Sequence, residues 1–103
     1  MQRTRSLQQW LSWVPQVHPE TGVQQVKGRW MAATPDSALH TFEDEGGVSE
    51  VAERIVSLID GRRTVGEIVG ALRGEFEVSQ SECEQQTVRF MEILVLKKVL
   101  API

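Results

Sequence analysis

Two histidines, one cysteine and one acidic run are the side chains here that could do bond-making or metal chemistry. His18 and His40 have no partnered nucleophile visible along the chain, and His40 falls in a strand-like stretch, where it reads as a surface or groove residue. Cys83 lies on the apolar side of a helical pattern and reads as a small buried hydrophobe rather than a reactive thiol. It is the single cysteine, which excludes an internal disulfide, and no Cys/His group has metal-ligand spacing. The acidic run Glu43-Asp44-Glu45 is followed by Gly46-Gly47 and reads as a flexible, solvated loop before a helix N-terminus. The expectation is a protein with no catalytic residues, no metal and no cofactor.

The remaining chemistry is that of a binding surface. Near the C-terminus, Cys83, Thr87, Met91, Leu94, Val95 and Val99 recur at helical spacing and form one broad face for a core. Gln86, Phe90, Ile93 and Lys97, at i, i+4, i+7 and i+11, form a second stripe with polar ends. That stripe either completes the core, packs beneath an N-terminal helix, or walls a groove that receives a peptide.

Several elements must position this helix. Asp60-Gly61 reads as a helix C-terminus with glycine in the left-handed position. Thr64 stands three residues before Glu67, the spacing of a capping box, and Val65, Ile68, Val69, Leu72 and Phe76 then line one face of a helix. A preceding helix carries Val48, Val51, Ala52, Ile55, Val56 and Ile59, with Ser49 as its cap, and the last helix opens near Ser79, three residues before Glu82, and runs to about Lys98. Upstream, strand-like stretches from Val23 to Phe42 are punctuated by Lys27-Gly28 and by Pro35-Asp36-Ser37, with residues 30–33 and 38–42 as the clearest hairpin. Ser6 to Val14 forms a short amphipathic helix stopped by Pro15; it needs a surface to pack on, in its own domain, a second copy or a partner, and no basic face supports a membrane.

The fold class is therefore α+β and winged-helix-like: a small antiparallel sheet of two or three strands, then three helices, with a short amphipathic helix in front. Residues 1–20 form the N-terminal extension and residues 21–103 the domain. The 103 residues suffice for one modest core, and 41% hydrophobic with 24% charged residues is ordinary globular usage. No run is long and apolar enough to span a bilayer, and no apolar segment follows Arg3 and Arg5, so a cytoplasmic protein is expected. A net charge of −3 opposes a phosphate-backbone binder.

The segment Ile55-x-x-Leu58-Ile59-Asp60-Gly61-Arg62-Arg63-Thr64-Val65-Gly66-Glu67-Ile68-Val69, behind a strand pair and before a third helix, resembles the PqqD family. That family includes the pyrroloquinoline quinone biosynthesis protein PqqD and related recognition elements for ribosomally made, modified peptides. The similarity runs over roughly Gly28 to Leu100. It implies a non-catalytic peptide chaperone that captures the leader segment of a precursor peptide and hands it to a modifying enzyme, often of the radical S-adenosylmethionine type. It also implies where the leader lies: as an added strand along Ala38, Leu39, His40, Thr41 and Phe42, against a helical wall of Gln86, Phe90, Ile93 and Lys97. Arg89 and Lys97 would meet acidic leader residues there. Two other readings stay open. One is a winged-helix nucleic-acid binder, whose nearby cations Arg62, Arg63 and Arg73 are opposed by Asp60, Glu67, Glu75 and Glu77. The other is a structural homodimer built through exposed strand edges.

Overall fold

The computed structural model of the chain describes residues 5–44 and 47–102. Three antiparallel strands, β1 (Gly22–Val26), β2 (Arg29–Ala33) and β3 (Leu39–Thr41), form a sheet in the order β1-β2-β3. Lys27 and Gly28 join β1 to β2 with positive φ at both positions (51° and 81°), the backbone a two-residue hairpin turn needs to follow strand twist. The β2–β3 connection has the other common form. Ser37 N donates to Thr34 O, Thr34 N donates to Ala38 O (both 3.0 Å), and Ser37 takes φ of 66° to close a three-residue loop.

The acidic stretch departs from the expected loop. Glu43–Asp44 (β4) and Gly47–Val48 (β5) pair as a small antiparallel hairpin, with Glu45 and Gly46 outside the described residues. Ser49 N then donates to Phe42 O (3.0 Å), which draws the two sides of this hairpin together at its base.

Three helices follow: α2 (Glu50–Leu58), α3 (Val65–Glu75) and α4 (Gln80–Leu96). Ser49 Oγ accepts from Ala52 N (3.1 Å) at the start of α2. Thr64 completes the capping box at α3: its Oγ1 accepts from Glu67 N (3.1 Å) and its own N–H reaches Glu67 Oε1 (2.8 Å). At α4 only half a box forms, with Ser79 Oγ accepting from Glu82 N (3.2 Å), and the helix ends at Leu96 rather than Lys98.

The turn between α2 and α3 is built differently from the glycine-capped end that Asp60-Gly61 implies. Helix α2 stops at Leu58 and Ile59 is extended, so Gly61 (φ 76°) belongs to the following turn. Asp60 Oδ1 governs that turn by accepting from Arg62 N and Arg63 N, both at 2.9 Å, the side-chain mimic of a backbone turn.

Helix α1 (Leu7–Ser12) opens on a complete Ser6/Gln9 capping box and packs on α3 and α4 of its own domain. Trp10 is only 8% exposed and joins the same core as Ile68, Leu72, Met91 and Leu94. Gly66 permits this docking, because a Cβ there would stand 3.2 Å from the Leu11 carbonyl oxygen. Past α1 the chain caps α3, with Trp13 O accepting from Val65 N (2.9 Å). It then pairs with the exit of α4: His18 N donates to Val99 O (3.0 Å), Ala101 N to Gln16 O (2.8 Å) and Thr21 Oγ1 to Lys98 O (2.6 Å).

Candidate functional site

Strand β3 is an edge of the sheet, and its pairing with β2 decides which of its backbone groups are free. The Thr34–Ala38 hydrogen bond closes the hairpin, and register then alternates along Ala33↔Leu39, Ala32↔His40 and Met31↔Thr41. In an antiparallel pair, bonded and non-bonded positions alternate, so His40 turns its amide and carbonyl toward β2 while Leu39 and Thr41 turn theirs outward. The side chains alternate as well. Ala32 and Phe42 (3% exposed) enter the core, whereas Leu39 stands 65% exposed on the opposite face.

The ladder stops after Thr41. Trp30, the next residue of β2, donates its N–H to Glu53 Oε2 (3.3 Å) on α2 instead of to a strand partner. Phe42 therefore leaves the sheet and meets Phe90 of α4 edge-to-face, ring centroids 6.2 Å apart at 76°. Of the five positions expected along the edge, Leu39, His40 and Thr41 form the strand. Ala38 closes the turn, and Phe42 joins the edge to the helical wall.

The helical wall is the α4 stripe. Gln86, Ile93 and Lys97 are exposed and Phe90 is half-buried, with α1 already docked on its own bed. The N-terminal helix thus leaves this stripe uncovered, and Ile93 keeps 40% of its surface open to solvent. Arg89 precedes Phe90 and points about 100° away around the helix, on the solvent side. The hairpin that carries β3 is braced by a polar cluster: the Thr34 hydroxyl donates to Asp36 Oδ1 and also lies 3.4 Å from His40 Nε2. That hydroxyl is the main cause holding the Asp36 carboxyl below its ordinary range.

A cavity of about 580 Å³ adjoins the wall, between α2, the α3–α4 connection and α4, and both Gln86 and Phe90 line it. Its other sides come from residues whose sequence signal is that of caps and core, such as Ser49, Val51 and Phe76. Nothing in their spacing distinguishes a residue that borders a void from one packed solid.

The family described as coenzyme PQQ synthesis protein D (PqqD) matches residues 42–100, more than half of the sequence. The chain belongs to the PqqD family. The matched PqqD segment starts at Phe42 and covers the helices, so the three-stranded sheet is tied to known proteins by fold. A solved structure of TbiB1 in complex with the TbiA(beta) leader peptide superposes with a TM-score of 0.73 at 19% identity, covering 85% of this chain and 96% of that one. A second, lasso peptide synthetase B1 complexed with the leader peptide, superposes at 0.74 with 15% identity, covering 87% of this chain and all of that one. No functionally curated protein matches the chain. The PqqD-type architecture expected from the Asp60–Val69 segment is the one observed: a three-stranded antiparallel sheet with four helices. Among the described residues no helix is long and apolar enough to cross a membrane.

Proposed function

We propose that this PqqD-family domain is a non-catalytic recognition module. It captures the leader segment of a ribosomally made precursor peptide as an added strand on β3 and presents it to a modifying enzyme, of the radical S-adenosylmethionine type, in the cytoplasm. The observation that carries this reading is the open edge of β3, whose Leu39 and Thr41 backbone groups face outward beside the uncovered α4 stripe. Strand addition draws affinity from such main-chain groups and selectivity from flanking side-chain contacts. Both solved relatives hold leader peptides, which favours the same class of ligand here. In this arrangement Phe90 and Ile93 supply apolar contact, and Gln86 supplies an amide at one end of the wall. Lys97 and Arg89 attract acidic leader residues, each contributing below about 1 kcal/mol because they are solvated.

The direct test is a two-dimensional amide NMR titration with leader peptides encoded by precursor genes beside this one. The expected result is a set of saturable shifts concentrated at residues 38–42 and 86–97. Shifts confined to β1, the other edge of the sheet, would move the site. A monomeric sample unmoved by every such leader would end the reading.

A further inference from the structure

Strand β1 is the other edge of the sheet, and its turn decides which of its backbone groups are engaged. Lys27 and Gly28 form a two-residue turn, so Val26 and Arg29 exchange main-chain hydrogen bonds. Bonded positions then alternate back along the strand as Gln24↔Met31 and Gly22↔Ala33. Val23 and Gln25 therefore turn their N–H and C=O groups away from β2, and among the described residues no other backbone segment takes them up. Proteins ordinarily blunt such an edge with a charge, a proline or a bulge. Gly22–Val26, of sequence GVQQV, has no charged residue and no proline, and its register with β2 runs without a bulge.

The edge is complementary to itself. Exposed Glu20 stands in the turn that leads into β1, and exposed Lys27 in the turn that leads out. Antiparallel self-pairing sets the acidic end of one copy beside the basic end of the other, and a two-fold axis supplies that match on both sides. Only the register centred on Gln24 places both outward residues, Val23 and Gln25, against those of a second copy. A shift one way sets Gln25 against Thr21, whose N–H is bonded to His18 O (2.9 Å). A shift the other way sets Val23 against Lys27, which the turn holds at φ 51°. In the centred register Val26, 40% exposed, falls opposite Gly22, where an added Cβ would meet nothing within 4 Å, so the valine has room.

We infer that β1 pairs with β1 of a second copy of this chain, in the register centred on Gln24. The product is a two-fold dimer whose sheet runs on in the order β3-β2-β1-β1-β2-β3. A single strand pair is a small interface, so the association is weak and concentration-dependent. Both β3 edges stay at the outside of the joined sheet. The dimer stands whether or not those edges take leaders, and if they do, it is bivalent.

Sedimentation velocity of the full chain between about 10 μM and about 1 mM should show the mass rising from monomer toward dimer. A chain that stays monomeric throughout overturns the inference. Gln25→Pro removes an outward N–H without touching the bonds to β2, and should weaken the dimer at least tenfold. A folded Gln25→Pro chain that dimerises as before puts the interface elsewhere and overturns it. If that variant loses its folded amide spectrum, cysteine pairing reads the same register. Gln24→Cys meets its own counterpart across the axis at a non-hydrogen-bonded position, where side chains are closest. In a glutathione buffer it should give a disulfide-linked dimer at least tenfold faster than Val26→Cys, which faces Gly22. The parent chain, whose Cys83 is buried, should stay unlinked. Equal linking of both variants, or of neither, overturns the pairing. No leader enters these measurements, so a failure of strand addition at β3 leaves their outcome unchanged.

Discussion

Phe90 couples the sheet edge to the helical half, because its ring meets Phe42 on one side and borders the cavity on the other. Phe90→Ala should lower stability by about 1–2 kcal/mol, less than a fully buried phenylalanine costs, and weaken leader binding at least tenfold; urea melts and a binding titration read the two effects. At Asp60 the prediction concerns pH. Backbone N–H groups of Arg63 and Arg62, with the Arg63 guanidinium at 3.0 Å, hold its carboxyl below the ordinary value of 3.8. A depressed folded-state pKa means the ionised form favours the folded chain. The contribution is therefore complete above 3.8 and disappears as pH falls through the folded-state value. Asp36, through the Thr34 hydroxyl, and Glu75, through Arg54, are shifted in the same direction. Asp60→Asn should flatten, without abolishing, the acid limb of stability measured between about pH 2 and 5.

Caps separate the helices by how much of the molecule depends on them. Thr64→Ala removes an acceptor at the start of α3, the helix that α1, α2 and α4 all pack against, and should cost about 1 kcal/mol of global stability in urea melts. Ser6→Ala removes an equivalent bond from six-residue α1 and should raise amide exchange in residues 7–12 with little change in the global transition. Such elements are legible in the sequence because their signals are local. The Thr64/Glu67 pair, the Ser6 and Ser49 caps and the Pro35-Asp36-Ser37 turn each satisfy their hydrogen bonds within a few residues. Strand β1 is weakly marked for the opposite reason. Four of its five residues are exposed, so its apolar alternation is nearly absent and pairing with β2 sustains it. The α4 stripe is legible as periodicity, but its half-buried state depends on Phe42, nearly fifty positions upstream.

For the whole molecule, Trp10 is buried on α1, whose main packing partners are α3 and α4, whereas the proposed binding edge is β3. Trp10→Ala should therefore destabilise the fold by about 3 kcal/mol while leaving the affinity of the folded fraction for leader within about twofold, read by thermal melts and by titration well below the midpoint. A marked loss of affinity would show that α1 contributes to the groove. Leu96, 82% exposed one turn beyond Ile93, is apolar surface that neither the core nor the stripe uses.

The clasp between residues 16–21 and 98–101 also bears on the order of synthesis. Thr21 and Lys98, joined side chain to backbone, are 77 positions apart, and the bed for α1 is made of α3 and α4. The α1 segment thus lacks its full docking surface until α4 has emerged. Until then Trp10 and Trp13 remain in solvent or in the keeping of a chaperone. Loop closure of that length comes late because its entropy must be met before the contacts return it. This domain should acquire protease resistance in one step, once residues 98–101 are available to pair with residues 16–21, rather than helix by helix, as limited proteolysis of stalled nascent chains of increasing length would read.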